Sequence, residues 1–240
     1  MPIERRLLLQ IAPFLAASEP IPSSFPAQSP DLAKEMVTVS HGNVKRVKEL
    51  VAAHPTLAKA TWDWGFGDWE TALGAASHVG NREIAKILID NGAAPTLFSA
   101  AMLGQLEVVK SLIAANPGSQ RIPGPHSISL LAHARAGGDL SKAVYQYLES
   151  LGDAGEPSLA PITEAEMNSL TGRYQFDIEI SIVRGALNFA RVGTSPRRLF
   201  HLGNLVFHPA GASAVRVQFA EKGVLTIKDG ELSLTALKTA

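Results

Sequence analysis

The sequence predicts a multidomain fold: an α-solenoid of about four helix pairs, then a small antiparallel β-barrel or meander. Three observations carry this. A glycine-centred pattern recurs with paired helical stripes on either side of it. From Gly172 onward the apolar period changes from helical to two. Between the halves lies Gly152-Asp153-Ala154-Gly155-Glu156-Pro157, a turn-forming stretch that suits neither.

The repeat is clearest from Glu70 to Ile113. Small-residue segments (Ala72-Leu73-Gly74-Ala75-Ala76, then Ala100-Ala101-Met102-Leu103) each end at a glycine, and a second apolar-periodic helix follows. Lys86 and Lys110 share one offset from that glycine, Leu88 and Leu112 another, and Gly42 sets the same register for Lys48 and Leu50. Leu88 and Leu112 are therefore both expected in the packed layer. The marker glycines 42, 80, 104 and 138 are spaced 38, 24 and 34. The short interval leaves no room for a projecting hairpin between the second and third units.

These helix pairs resemble degenerate ankyrin repeats of bacterial type, which recur about every 33 residues. Thr71-Ala72-Leu73-Gly74 is nearest to that family's Thr-Pro-Leu-His signature. The resemblance implies loop fingers between units, and binding of partners through the fingers and a concave helix face.

Residues 1–28 are expected to be a leader and linker. Arg5-Arg6 precede an apolar run to Ala17, resembling a twin-arginine export signal with Glu4, Leu8 and Pro13 as departures. Export to a periplasm is the expectation and the cytoplasm the alternative. If it is exported, mass spectrometry of the native protein should find roughly the first 17 to 28 residues gone. An intact terminus in a soluble cytoplasmic fraction would refute export. The apolar run is too short to span a bilayer.

The ankyrin-type domain is placed at 29–154. Ser29-Pro30-Asp31 gives an N-cap, a proline at the first helical position and an acid in the first turn. Helices near 31–40 and 43–53 make the first pair, with Val44, Val47, Leu50 and Val51 as the buried stripe. The next segment, Trp62-Asp63-Trp64-Gly65-Phe66-Gly67-Asp68-Trp69, holds all 3 tryptophans of the chain. Its glycines prevent one continuous helix or strand from burying every ring, so an aromatic recognition loop is expected. A fourth pair follows Ile122-Pro123-Gly124-Pro125-His126, its first helix running from Ser129 to Ala136 and its second from Asp139 to about Leu151.

The β domain is placed at 160–240. Thr163-Glu164-Ala165-Glu166 is a capping box. Alternation at Ile178-Ile180-Ile182, Val215-Val217-Phe219 and Leu232-Leu234-Ala236 predicts seven or eight short strands, with a hairpin at Asp229-Gly230. Ile180, Phe189, Phe207, Val217 and Phe219 are bulky enough to fill a small barrel. Leu170-Thr171-Gly172-Arg173-Tyr174 and Ala186-Leu187-Asn188-Phe189 resemble the small β-module appended to bacterial serine hydrolases.

Composition narrows the function. Formal net charge is +0 and no long basic run exists, so nucleic acid is not the expected partner. With Cys 0, thiol catalysis, disulfides and thiolate metal sites are excluded. No Gly-x-Ser-x-Gly elbow, Ser-x-x-Lys pair, P-loop or His-Glu-x-x-His occurs, so no enzyme, cofactor or metal is expected. The 7 histidines (41, 54, 78, 126, 133, 201 and 208) include no pair at helical spacing for zinc. Stacked repeats could still gather His78, His126 and His133, and a chemical role for them would need Asp68 or Glu70 alongside. The expectation is a monomeric, non-enzymatic interaction protein. It binds a protein partner through Trp62, Trp64, Phe66, Asp68, Trp69, His78, His126 and His133. The alternatives are a small-ligand-binding or hydrolase-related accessory β domain, and a plain structural tether.

Overall fold

The computed structural model describes residues 27–192 and 194–239. The expected leader therefore falls almost entirely outside the described residues. Helices α1 (Pro30–Val39) and α2 (Val44–Ala53) form the first pair. Ser29 caps α1 by accepting the Asp31 amide, and Asn43 caps α2. Val47, Leu50 and Val51 are buried, with Val44 half-buried beside them.

Strands β1 (Thr61–Asp63) and β2 (Trp69–Thr71) make a hairpin in which Trp62 pairs with Glu70. The chain turns through Gly65, Phe66 and Gly67, all at positive φ. Helices α3 (Ala72–His78) and α4 (Arg82–Asp90) follow, then α5 (Leu97–Leu103) and α6 (Leu106–Ala115). Residues 91–96 run into α5 without a strand, as the short glycine spacing requires. Helices α7 (Leu130–Ala136) and α8 (Lys142–Leu151) complete the helical part, with a 3-10 turn where the second helix was expected to begin.

Small residues set the geometry. Ala72, Ala75 and Ala76 of α3 are buried, and a Cβ on Gly80 would lie 2.1 Å from the Ala136 carbonyl oxygen. Only a residue without one allows the ends of α3 and α7 to meet so closely. Arg82 then donates to Met102 O at 2.7 Å and Gly137 O at 2.9 Å, satisfying the last carbonyls of α5 and α7. Helix α3 touches α1, α5 and α7 together, so α7 folds back across the row and does not merely extend it.

Leu112 departs from expectation. Helix α6 packs on α5 and α8 and buries Val109 and Ile113, leaving Leu112 37% exposed. Leu88 is fully buried against the first core cluster.

Helix α9 (Glu164–Leu170) opens on the expected Thr163/Glu166 capping box. The sheet that follows contains β3 (Gly172–Tyr174), β4 (Ile178–Val183), β5 (Ala186–Arg191) and β6 (Arg197–Gly203). It continues with β7 (Val206–Pro209), β8 (Arg216–Ala220), β9 (Val224–Asp229) and β10 (Leu232–Leu237). It is an 8-stranded antiparallel meander in sequence order. Gln175 N donates to Leu237 O and Thr239 N to Arg173 O, bringing the first and last strands into a nearly closed barrel. Ile180, Phe189, Phe207, Val217 and Phe219 are all buried in its core. The β5–β6 pairing is short, limited to Asn188 with Arg198 and Phe189 with Arg197. Among the described residues no helix is long and apolar enough to cross a membrane.

Candidate functional site: a histidine–carboxylate cluster beside a cleft

The hairpin places two carboxylates inside the protein. Asp68, immediately before β2, and Glu70 within it sit at alternate positions, and both are buried. Burying an anion costs several kcal/mol unless it is paired, so their surroundings must supply positive charge.

Asp68 is met from both halves of the chain. His126 offers its backbone N–H to Oδ1 at 2.9 Å and its Nδ1 to Oδ2 at 2.7 Å. Arg197, at the start of β6, places NH1 3.3 Å from Oδ2. The same guanidinium donates to the carbonyls of Trp64 and Ala210. Gly211 lies over the Asp68 carboxylate so closely that a Cβ would fall 2.0 Å from Cγ. Its amide donates to Ser127 Oγ at 2.8 Å. His126 and Ser127 both take left-handed backbone, at φ 57 and φ 59. Such strain in non-glycine residues persists only where the surroundings over-determine it, as the Asp68 and Gly211 contacts do here.

Glu70 is the centre of a second shell of contacts. Trp64 Nε1 donates to Oε2 at 2.8 Å. His78 Nε2 lies 2.9 Å from Oε1, His126 Nε2 3.3 Å from Oε2, and His41 Nε2 3.6 Å from Oε2. Burial opposes the Glu70 charge, but the His126 and His78 imidazoles outweigh it and hold the pKa at about 2. Burial likewise works against a charged His126, yet Asp68 and Glu70 prevail and raise its pKa to about 9. His133, behind His78 and against Phe98, is buried with only Ser129 O to bond, and desolvation takes its pKa down to about 4.

On the hairpin's outer side lies a cleft of about 730 Å³. Trp62, Trp64 and Phe66 face Phe189, Arg191 and Arg197 across it, where the β5–β6 pairing is short. Lys34 stands over the Trp62 ring at 5.5 Å, and Phe66 meets Phe189 edge-on.

The sequence-selected residues therefore divide. Trp62, Trp64 and Phe66 line the cleft. Trp69, 61% exposed, stands away from it beside a shallow groove with Phe98, Pro123 and Pro125. Asp68 and His133, expected at a recognition surface, are buried, Asp68 because it neutralises His126 and Arg197. His78 and His126 do converge, and the carboxylates required alongside them are both present. His41 escaped the sequence reading, although it precedes Gly42 much as His78 precedes Gly80. Among the described residues, His41, Glu70, His78 and His126 form the group whose ligand atoms could hold a metal ion.

No family model matches this chain, and neither a curated protein nor a solved structure resembles it.

Proposed function

We propose that this chain is a non-enzymatic recognition protein, an ankyrin-type array joined to a β module, that holds a protein partner in the cleft between hairpin and barrel. The carrying observation is the pair of surfaces across that cleft. Aromatic rings of the hairpin oppose a wall on which Arg191 presents its guanidinium, Arg197 being engaged by Asp68 and Arg198 by Glu156. Rigid aromatics anchor an interface at small entropic cost, and arginine forks match carboxylates. The partner's fitting segment is thus acidic with an apolar or aromatic anchor. Paired helices ending at glycines, with a hairpin between the first two pairs, support the ankyrin-type reading. The cleft volume also lies in the range of small-molecule sites, which favours a small aromatic anion as the second reading.

Affinity capture from the native source tests this, using wild type beside a Trp62→Ala/Phe66→Ala variant and an Arg191→Glu variant. Trp64 is left intact because its indole serves Glu70. A protein held by wild type should be lost from both variants, since anchors of this kind cost about 2 kcal/mol or more each, roughly 30-fold in affinity. A partner retained equally by all three proteins would place recognition elsewhere.

A further inference from the structure

Glu70 Oε1 poses the question. It is buried and accepts no hydrogen bond, although His78 Nε2 is only 2.9 Å away. The same His78 nitrogen lies 3.2 Å from His41 Nε2, and a single N–H cannot serve both. A buried carboxylate oxygen whose lone pairs meet no donor is uncommon in folded proteins, and a bound cation is one thing that accounts for it.

The surrounding donors have the spacing of a coordination shell. His41 Nε2 and His78 Nε2 are 3.2 Å apart, and His126 Nε2 is 3.3 Å from the other Glu70 oxygen. All four ligand atoms lie within 4.8 Å of one another. A tetrahedral ion with bonds of about 2.0–2.1 Å needs ligand-to-ligand edges of roughly 3.3–3.4 Å. The far sides of two rings are already engaged. His41 Nδ1 lies 3.1 Å from the carbonyls of Val37 and Thr38, which only an N–H can serve, so Nε2 keeps its lone pair. His126 Nδ1 points at Asp68 in the carboxylate–histidine arrangement that orients metal ligands.

We propose that His41, Glu70, His78 and His126 form a closed site for one divalent transition-metal ion, with Zn²⁺ the best match. Three imidazoles and one carboxylate suit an ion of borderline softness. Calcium and magnesium prefer all-oxygen shells, and no thiolate is present to draw softer ions. Four protein donors leave no open position, which is the pattern of a structural centre. On binding, each ligand nitrogen that carries a proton releases it to solvent.

The ligands come from separate parts of the chain: the turn after α1, strand β2, the end of α3, and the loop before α7. An ion there clips the hairpin to three helix pairs. Through Asp68 and Arg197 it also steadies the barrel edge. This inference stands apart from the partner reading, because metal binding is measured on the protein alone.

The test uses the full chain, stripped by a chelator and titrated with Zn²⁺ in competition with a chromophoric chelator. One ion per chain should bind and raise the melting temperature. Co²⁺ loaded instead should give the intense visible absorption of a tetrahedral site, a readout that requires no variant. His41→Gln, at the solvent edge, and His78→Gln should each weaken Zn²⁺ binding by more than about 100-fold. Asp68→Asn, which removes only an outer partner, should weaken it about 10–100-fold. His54→Gln, outside the cluster, should change nothing. Absence of a bound ion, a weak octahedral cobalt spectrum, or affinity that survives both His41→Gln and His78→Gln would each overturn the assignment.

Discussion

Leu88→Ala should lower the unfolding free energy by about 2–5 kcal/mol, while Leu112→Ala should cost about 1 kcal/mol or less. The two leucines share an offset in the repeat, so sequence alone assigns them one fate. Their surroundings differ. Leu88 is fully buried in the first core, so truncation removes transfer free energy and leaves a cavity. Leu112 is 37% exposed, and water can occupy the space its methyls vacate. Lys86, two residues before Leu88, is exposed and, among the described residues, pairs with Asp90 alone. Lys86→Ala should therefore shift stability by less than about 0.5 kcal/mol. Denaturant melts of the three single variants decide the matter. If Leu112→Ala proves as damaging as Leu88→Ala, the outer face of α6 is covered by something these contacts do not include.

The contrast shows what a repeat register can and cannot carry. Periodicity locates helices because an apolar stripe must face some neighbour, and α2, α4, α6 and α8 all lie where it indicates. It does not say which neighbour. Helix α7 lies against α3 as well as α5, and α6 packs on α5 and α8, so the third unit buries Val109 and Ile113 in place of Leu112. The barrel was easier to read, because a period of two allows one inward set, and all five named bulky residues fall in it.

The site was half legible. Tryptophans crowded between glycines announce an unusual loop, and the need for a carboxylate near His78 and His126 follows from their chemistry. His41 was not selected, because its partners are 29, 37 and 85 positions away (Glu70, His78 and His126) and only the stacking of helix ends joins them. Asp68 looked like a surface acid for a plain reason. Its main counter-charge, apart from His126, is Arg197, on a strand of the other domain. No local pattern records that pairing.

Arg197 accordingly carries the largest electrostatic prediction. Its guanidinium is mostly buried, holds Asp68 from one side and donates to the Trp64 and Ala210 carbonyls from the other. Removing one partner from a buried ion pair costs about 3–5 kcal/mol, because the remaining charge stays desolvated. His126 still serves Asp68, so Arg197→Ala should fall near the lower end of that range. The neighbouring Arg198 gives an internal control. It pairs with Glu156 at 3.1 Å, but both side chains are well exposed, and Arg198→Ala should cost no more than about 1 kcal/mol. Intrinsic fluorescence reports on this directly, since all 3 tryptophans lie in the hairpin that Arg197 contacts. In urea, the Arg197→Ala fluorescence transition should move to lower denaturant and separate from the far-ultraviolet circular dichroism transition. Wild type and Arg198→Ala should keep the two transitions together. Equal losses from Arg197→Ala and Arg198→Ala, with coincident transitions in both, would mean that the barrel is held to the hairpin by apolar contact such as Phe66 against Phe189, and that the buried charge pair contributes little.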